Sequence, residues 1–301
     1  GLTLTGGGRL THARLSGTAE DITPALAAAI VAARAGVTAD RTETRLLPSL
    51  AISSTALPGV ILFARLQQGF RPGGLAIDGD FVRRFRNDRV TTMEIGARHG
   101  TAGRDPFDLA ISLSATRWRD IQADFVDAGG LPTTANIGDG QIYSIALNGG
   151  WRPVEGLRLD FGLTYNDSRV SDPAPQFVYA FASGRMSQIP NVARYAARAG
   201  IDYRAALSDL LDLHVAANGQ YIGSSRLGIG PILGDAQGDY FDSSLTARLG
   251  WPGFGVTLGI TNLADTVGNR FALGTPFVDS SEGQITPLRP RTFRLGLDAR
   301  F

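Results

Sequence analysis

The chain contains no cysteine, and all 29 of its basic residues are arginine, so lysine is absent as well. Disulfide scaffolds, thiolate metal sites, cysteine nucleophiles and Schiff-base lysine chemistry are thereby excluded. Histidine is scarce. His12, His99 and His214 are scattered, with no two spaced four residues apart, which argues against a His-built metal site. The 28 acidic residues leave a net charge of +1, so there is no general electrostatic pull toward nucleic acid. Long apolar runs are missing too: the longest, Ala25 to Ala33, has nine residues, against roughly 18 for a membrane helix. Neither a signal peptide nor an initiator methionine opens the sequence, as expected of a processed, engineered or mid-chain start at Gly1.

What the sequence has instead is 38 glycines set among residues that alternate apolar and polar almost everywhere. Phe293, Leu295, Leu297, Ala299 and Phe301 share one parity, and Arg294, Gly296, Asp298 and Arg300 the other. Residues 157–165, 195–203, 211–221, 241–251 and 254–260 repeat the pattern. Further strands are predicted over about 8–18, 45–54, 60–68, 90–100, 107–118 and 138–150, about twelve in all. The polar face carries Arg158, Asp160, Arg198, Asp202, Arg204, His214 and Arg248. Ions this dense would be ruinous in a sandwich core and suit a wet or plugged lumen. Only Ala25 to Arg34, behind Thr23-Pro24, hints at a helix.

Loop lengths alternate strictly. Short turns are expected at 55–59, 101–106, 152–156, 205–209 and 252–253, and long connections at about 19–44, 69–89, 127–137, 167–191, 224–239 and 262–290. Outer-membrane barrels segregate short periplasmic turns from long extracellular loops in this way. Aromatic spacing agrees: Tyr195 and Tyr203 bracket nine residues and Phe241 and Trp251 eleven, a membrane crossing's worth for a tilted strand. The expected fold is therefore an all-β, transmembrane antiparallel β-barrel, with Phe301 ending on the periplasmic side.

Three stretches resemble the TonB-dependent outer-membrane receptors. Gln67-Gln-Gly-Phe-Arg-Pro-Gly-Gly74 looks like the segment that leaves a strand for an extracellular loop; physically, Pro72 ends the ladder, and Gly73 and Gly74 are expected to supply positive φ. Asn262-Leu-Ala-Asp265 is similar to the family's Asn-Leu-Phe-Asp element, with Ala264 departing at the aromatic position. Pro290 to Phe301 resembles its closing strand, and Phe301 the terminal signal read by the barrel-assembly machinery. The resemblance implies that residues 1–301 are the C-terminal portion of a 22-stranded barrel whose plug and remaining strands lie on a second polypeptide or a removed segment. It also implies coupling to TonB through that plug.

The function expected from the resemblance is active transport across a Gram-negative outer membrane of a scarce nutrient: an iron chelate, cobalamin, a saccharide or a peptide. An autonomous 12-stranded porin or translocator barrel is the alternative. No cofactor, metal site or enzymatic activity is expected. His214 near Asp212 invites an enzymatic reading, but no nucleophile motif accompanies it. Substrate contacts are expected from Arg83, Arg84 and Arg86 around Phe85, and from Phe177, Tyr179 and Phe181. The arginines could equally neutralise lipopolysaccharide phosphates, and the aromatics could serve as a lid or pack against other loops.

Overall fold

The computed structural model describes residues 1–16, 41–78, 81–126, 132–178, 182, 187–229, 234–273 and 284–300. In chain order its strands are β1 (Leu2–Leu15), β2 (Arg41–Leu57), β3 (Val60–Arg71), β4 (Gly74–Asp78), β5 (Phe81–Phe85), β6 (Asp88–His99), β7 (Phe107–Val126), β8 (Pro132–Trp151) and β9 (Leu157–Pro173). They continue as β10 (Tyr195–Ser208), β11 (Leu211–Ile222), β12 (Ser225–Arg226), β13 (Ala236–Gln237), β14 (Tyr240–Trp251), β15 (Phe254–Thr261), β16 (Ala272–Leu273), β17 (Gln284–Ile285) and β18 (Thr292–Ala299). Twelve of them build one antiparallel sheet in the order β1-β2-β3-β6-β7-β8-β9-β10-β11-β14-β15-β18. The pairs β4-β5, β12-β13 and β16-β17 are small hairpins off that wall. The described sheet is an open meander whose edges are β1 and β18.

Sequence parity becomes geometry directly. The exposed large apolar side chains Met93 and Ile95 on β6, Ile111 and Leu113 on β7, Ile145 on β8, Leu163 on β9 and Leu295 and Leu297 on β18 all sit on one face of the wall. Successive strand residues point to opposite faces, so this outward face is the one the alternation marked as apolar. The five short turns link β2-β3, β6-β7, β8-β9, β10-β11 and β14-β15 at one rim, and the other connections lie at the opposite rim, all of them longer except the five-residue one between β7 and β8. Gly156 shows how tight the short rim is: its φ is +76°, and a Cβ there would lie 2.0 Å from the carbonyl oxygen of Arg204.

Four expectations need correction. The first strand spans Leu2–Leu15 instead of 8–18. The connection expected at 127–137 shrinks to residues 127–131, because β7 and β8 each run 20 residues. A crossing needs only about 9 to 11, so both strands continue past the lipid into water, where no apolar alternation is required. The connection expected at 69–89 is built: β3 continues to Arg71 and the β4-β5 hairpin follows. Gly73 and Gly74 are not positive-φ residues. They are needed because a Cβ on either would approach Phe85 to 2.3 Å, its carbonyl oxygen and its ring respectively. The possible helix at Ala25 to Arg34 and the terminal Phe301 lie outside the described residues.

The inner face is stitched by arginines that reach across glycine. Arg158 on β9 bonds Asp108 on β7 at 3.3 Å, passing over Gly150 on β8. Arg198 on β10 bonds Asn148 on β8 at 3.0 Å over Gly162 on β9. Arg248 on β14 bonds Asp298 on β18 at 2.8 Å over Gly255 on β15. In each case a Cβ on the glycine would stand 2.6 Å or less from the guanidinium. Arg65 and Glu94, 2.5 Å apart, pair the adjacent strands β3 and β6 in addition.

Two outcomes follow from this arrangement. Ile111→Arg, on the outward face, should cost roughly 2 to 4 kcal/mol in a membrane-folding titration, whereas Ser112→Arg, one residue on and facing inward, should cost far less. Equal costs would refute the facing. Because the chain lacks cysteine, single-cysteine labelling with a membrane-impermeant maleimide reads the rims directly. Ser171→Cys should label on intact cells and Glu155→Cys only after lysis; the reverse result would invert the wall.

Candidate functional site

Among the described residues, buried apolar side chains cluster at the rim of long connections. Ile121, Ile137, Ile189 and Ile229 are almost wholly buried there, with Trp118, Phe125, Phe177 and Val192 packed around them. The chemistry of the residues explains the location: past the lipid, the extended ends of β7 and β8 must bury their apolar side chains on each other and on the loops. Asn191, with φ of +62°, ties the connection before β10 to the β12-β13 hairpin, donating to the Leu227 carbonyl at 3.0 Å and accepting from Gln237 at 2.9 Å.

A polar network fixes the β4-β5 hairpin against this platform. Arg71 grips Asp88 at 3.1 and 2.7 Å and donates to the Gln122 carbonyl at 2.9 Å. Asp88 is only 2% exposed, so its charge is held by two guanidinium donors on Oδ2 and the Arg71 amide on Oδ1 rather than by water. Gln122 donates to the carbonyls of Pro72 and Arg86, and Asn136 to those of Arg86 and Asp120. Below the hairpin, Arg41 donates to the Phe85 carbonyl at 3.1 Å. Sequence reading did not single out Arg41, Asp88, Asp120, Gln122 or Asn136, because the partners are 16 to 51 residues apart and meet only through strand register.

The predicted site residues divide between that network and open surface. Arg84 and Arg86 are both exposed, but Arg86 is engaged, with its guanidinium 2.7 Å from Asp120. Arg83 lies on β5, opposite Ala76 in the hairpin register. Phe177 stacks edge-to-face on Phe125 with ring centroids 5.5 Å apart, so it belongs to the platform core. Tyr179 and Phe181 lie outside the described residues. On the inner face of β1–β3, Arg9, Thr11, Ser49 and Gln67 line a polar recess of about 450 Å³.

His214 meets Asp202 on β10 at 2.8 Å rather than Asp212, and Arg204 shares that carboxylate at 3.2 Å. Among the described residues no hydroxyl is hydrogen-bonded to His214, so the histidine belongs to an ionic network of the wall. No group of acidic or histidine side chains able to hold a metal ion occurs among the described residues. The arrangement can present cationic donors and apolar surface at a mouth.

Asn262-Leu-Ala-Asp265 ends β15 with a device that sequence alone did not explain. Asn262, 4% exposed and at φ of +50°, donates to the carbonyls of Thr266 and Arg289 and accepts from the Thr266 amide, pinning the following connection to the approach to β18. Asparagine is one of the few residues that tolerates this left-handed backbone, and its amide supplies both a donor and an acceptor.

No curated protein matches the sequence. Among solved structures, the chain is similar to the ferric yersiniabactin uptake receptor FyuA of Yersinia pestis: 20% identity, 87% of this chain, 38% of that one, TM-score 0.65. It is likewise similar to BauA, the ferric preacinetobactin receptor of Acinetobacter baumannii: 16% identity, 98% of this chain, 40% of that one, TM-score 0.67. The copper transporter OprC gives 16% identity over 100% of this chain and 47% of that one, TM-score 0.68. The chain thus spans less than half the length of each, and the likeness at such identity is one of fold. Residues 1–263 match the family described as TonB dependent receptor-like, beta-barrel. With the outward apolar face, the segregated rims and the asparagine-pinned turn after β15, that match over most of its length shows that the chain belongs to the TonB-dependent receptor β-barrel family.

Proposed function

We propose that this chain is the C-terminal barrel portion of an outer-membrane receptor of a Gram-negative bacterium, which captures a scarce nutrient at its long-loop rim and imports it with TonB energy. Membership of the receptor family over residues 1–263 carries the reading. The substrates of its structural neighbours, two ferric siderophores and copper, favour a metal or its chelate over cobalamin, a saccharide or a peptide. Residues 83–86 on and just after the β4-β5 hairpin and the aromatic segment from Phe177 to Phe181 are the proposed ligand contacts, with Arg84 exposed and Arg86 paired to Asp120. Guanidinium groups suit an anionic chelate because they offer paired donors to carboxylate or catecholate oxygens.

The open edges of β1 and β18 support the companion proposal that further strands, and a plug through which TonB acts, complete the barrel, either on a second polypeptide or on a removed segment. Unpaired backbone groups are untenable in lipid. The neighbours give the same sense, since the chain aligns nearly whole to under half of each. The inner-face ions, including Asp202, His214, Arg204, Arg294 and Arg300, are then available to meet the plug.

Uptake of radiolabelled ferric citrate, a ferric catecholate and a ferric phenolate by cells carrying the complete receptor tests the function. At least one should enter only when TonB is present, and Arg83→Gln/Arg84→Gln should reduce that uptake roughly tenfold. Uptake that is independent of TonB would instead support an autonomous 12-stranded pore.

A further inference from the structure

The arginines that reach over glycine on the inner face obey a rule of register. In all three cases the acceptor stands directly opposite the glycine: Asp108 opposite Gly150, Asn148 opposite Gly162 and Asp298 opposite Gly255. The glycine leaves room for a long stem, and the group opposite it receives the head. Gly7 on β1 has the same setting at an open edge. It stands opposite Ser49 on β2, which stands opposite Gln67 on β3, and a Cβ on Gly7 would lie 2.8 Å from Ser49 Oγ. Beyond β1 the described sheet has no strand from which a side chain could cross Gly7.

The edge has the surroundings of a strand awaiting a neighbour. Leu2, Leu4 and Leu10 on its outward face are 71%, 68% and 71% exposed, whereas Leu113 and Ile145 inside the wall are each 46% exposed. The difference is the flank that an adjacent strand covers. Facing inward, Gly7 lies beside the polar recess of about 450 Å³, whose lining includes Arg9, Thr11, Ser49 and Gln67 and no acid. Among the described residues Arg9 makes no ion pair. Arg9 and Gly7 share the inner face two residues apart, about 7 Å along the strand. These groups decide the chemistry of whatever crosses Gly7. A second guanidinium there would meet Arg9 as a like charge, which is destabilising between close neighbours on a sheet. A carboxylate would be held by Arg9 and would accept from the Ser49 hydroxyl. Neighbouring strands lie about 4.8 Å apart, so a stem rooted one strand out needs the length of glutamate to bring its carboxylate over Gly7.

We propose that the recess beside Gly7 is the socket for a glutamate of the strand that pairs with β1 in the complete receptor, its stem crossing Gly7 and its carboxylate bound by Arg9 and Ser49. The polarity of the other three crossings is thereby reversed: there the arginine travels and the acceptor waits, whereas here the arginine waits. The inference rests on the reading that further strands complete the barrel, and it adds the inward chemistry of the first of them.

The test uses the complete receptor in outer membranes. Residues 1–301 contain no lysine, so Arg9→Lys places a single side-chain amine in this part of the wall. A water-soluble carbodiimide then joins that amine to a touching carboxylate, with loss of water, and peptide mapping identifies the acid. The expected link runs from position 9 to a glutamate outside residues 1–301, on the strand that pairs with β1. Gly7→Leu, which fills the crossing, should lower the yield of that link roughly tenfold, whereas Gly6→Leu, on the outward face, should leave it unchanged. In the receptor without the added amine, Arg9→Glu should reduce the heat-modifiable, folded fraction roughly fivefold, and changing the linked glutamate to arginine in the same molecule should restore it. A folded receptor that gives no link, a link to an acid of the plug, or failure of the charge exchange to restore folding overturns the proposal while leaving the completed barrel intact. A link to Asp298 on β18 would mean that β1 and β18 close on each other, and would defeat the completed-barrel reading as well.

Discussion

Everything in this chain follows from the rule that hydrocarbon offers backbone amides and carbonyls no partner. A wall that must satisfy its backbone internally can be a continuous ladder of strands, and the order β1-β2-β3-β6-β7-β8-β9-β10-β11-β14-β15-β18 is such a ladder. Once the ladder exists, period-two alternation fixes which side chains meet lipid. Leu295 and Leu297, 70% and 69% exposed, would be anomalous on a soluble protein of this size and are required here. The same ladder forces each pair of strands to reverse direction at a rim, and the rims then diverge. One closes in tight turns such as that at Gly156, while the other carries hairpins and packed connections.

The inner face answers a second constraint, that charge is costly unless paired. Arg158, Arg198 and Arg248 each reach an acceptor two strands away, across roughly 10 Å of sheet. A side chain can lie flat over the intervening strand only where that strand offers glycine, and Gly150, Gly162 and Gly255 occupy those places. The planar guanidinium is the group for such a span, because it bonds at its far end while its stem lies along the sheet. Two compositional facts that look unrelated in the sequence, many glycines and arginine in place of every lysine, therefore meet in one structural device.

How far the sequence could be read depended on whether the controlling physics was local. Parity is local, so the twelve strands, the facing of Leu297 and Asp298 and the short turns were legible. Register is not: nothing near Asp88 announces Arg71 or Gln122, and nothing near Gly150 announces Arg158 and Asp108. The sequence placed Asp212 beside His214 because they share a strand, but the β10-β11 register brings Asp202 instead. Gly73 and Gly74 were read as conformational freedom when the Phe85 ring and carbonyl make them a matter of space. Beyond the lipid the alternation weakens, so the outer ends of β7 and β8 read as loop although they pair from Ile121–Gly138 to Val126–Pro132.

That extension past the membrane decides how the candidate site is divided. A ligand-binding rim made only of loops would pay the ordering entropy of every contact on binding. Here the β4-β5 hairpin is already fixed by Arg71, Asp88, Gln122 and Asn136 to strands rooted in the wall. Arg86 takes part in the fixing through Asp120, and Phe177 through Phe125, so both act first as supports. Arg84, like Arg86 exposed and on the same parity, is under the proposed function the cation that this mount would present. If the hairpin contacts ligand as proposed, Gln122 and Asn136 would act on specificity at one remove, because they bond its flanking carbonyls and hold the hairpin to the wall.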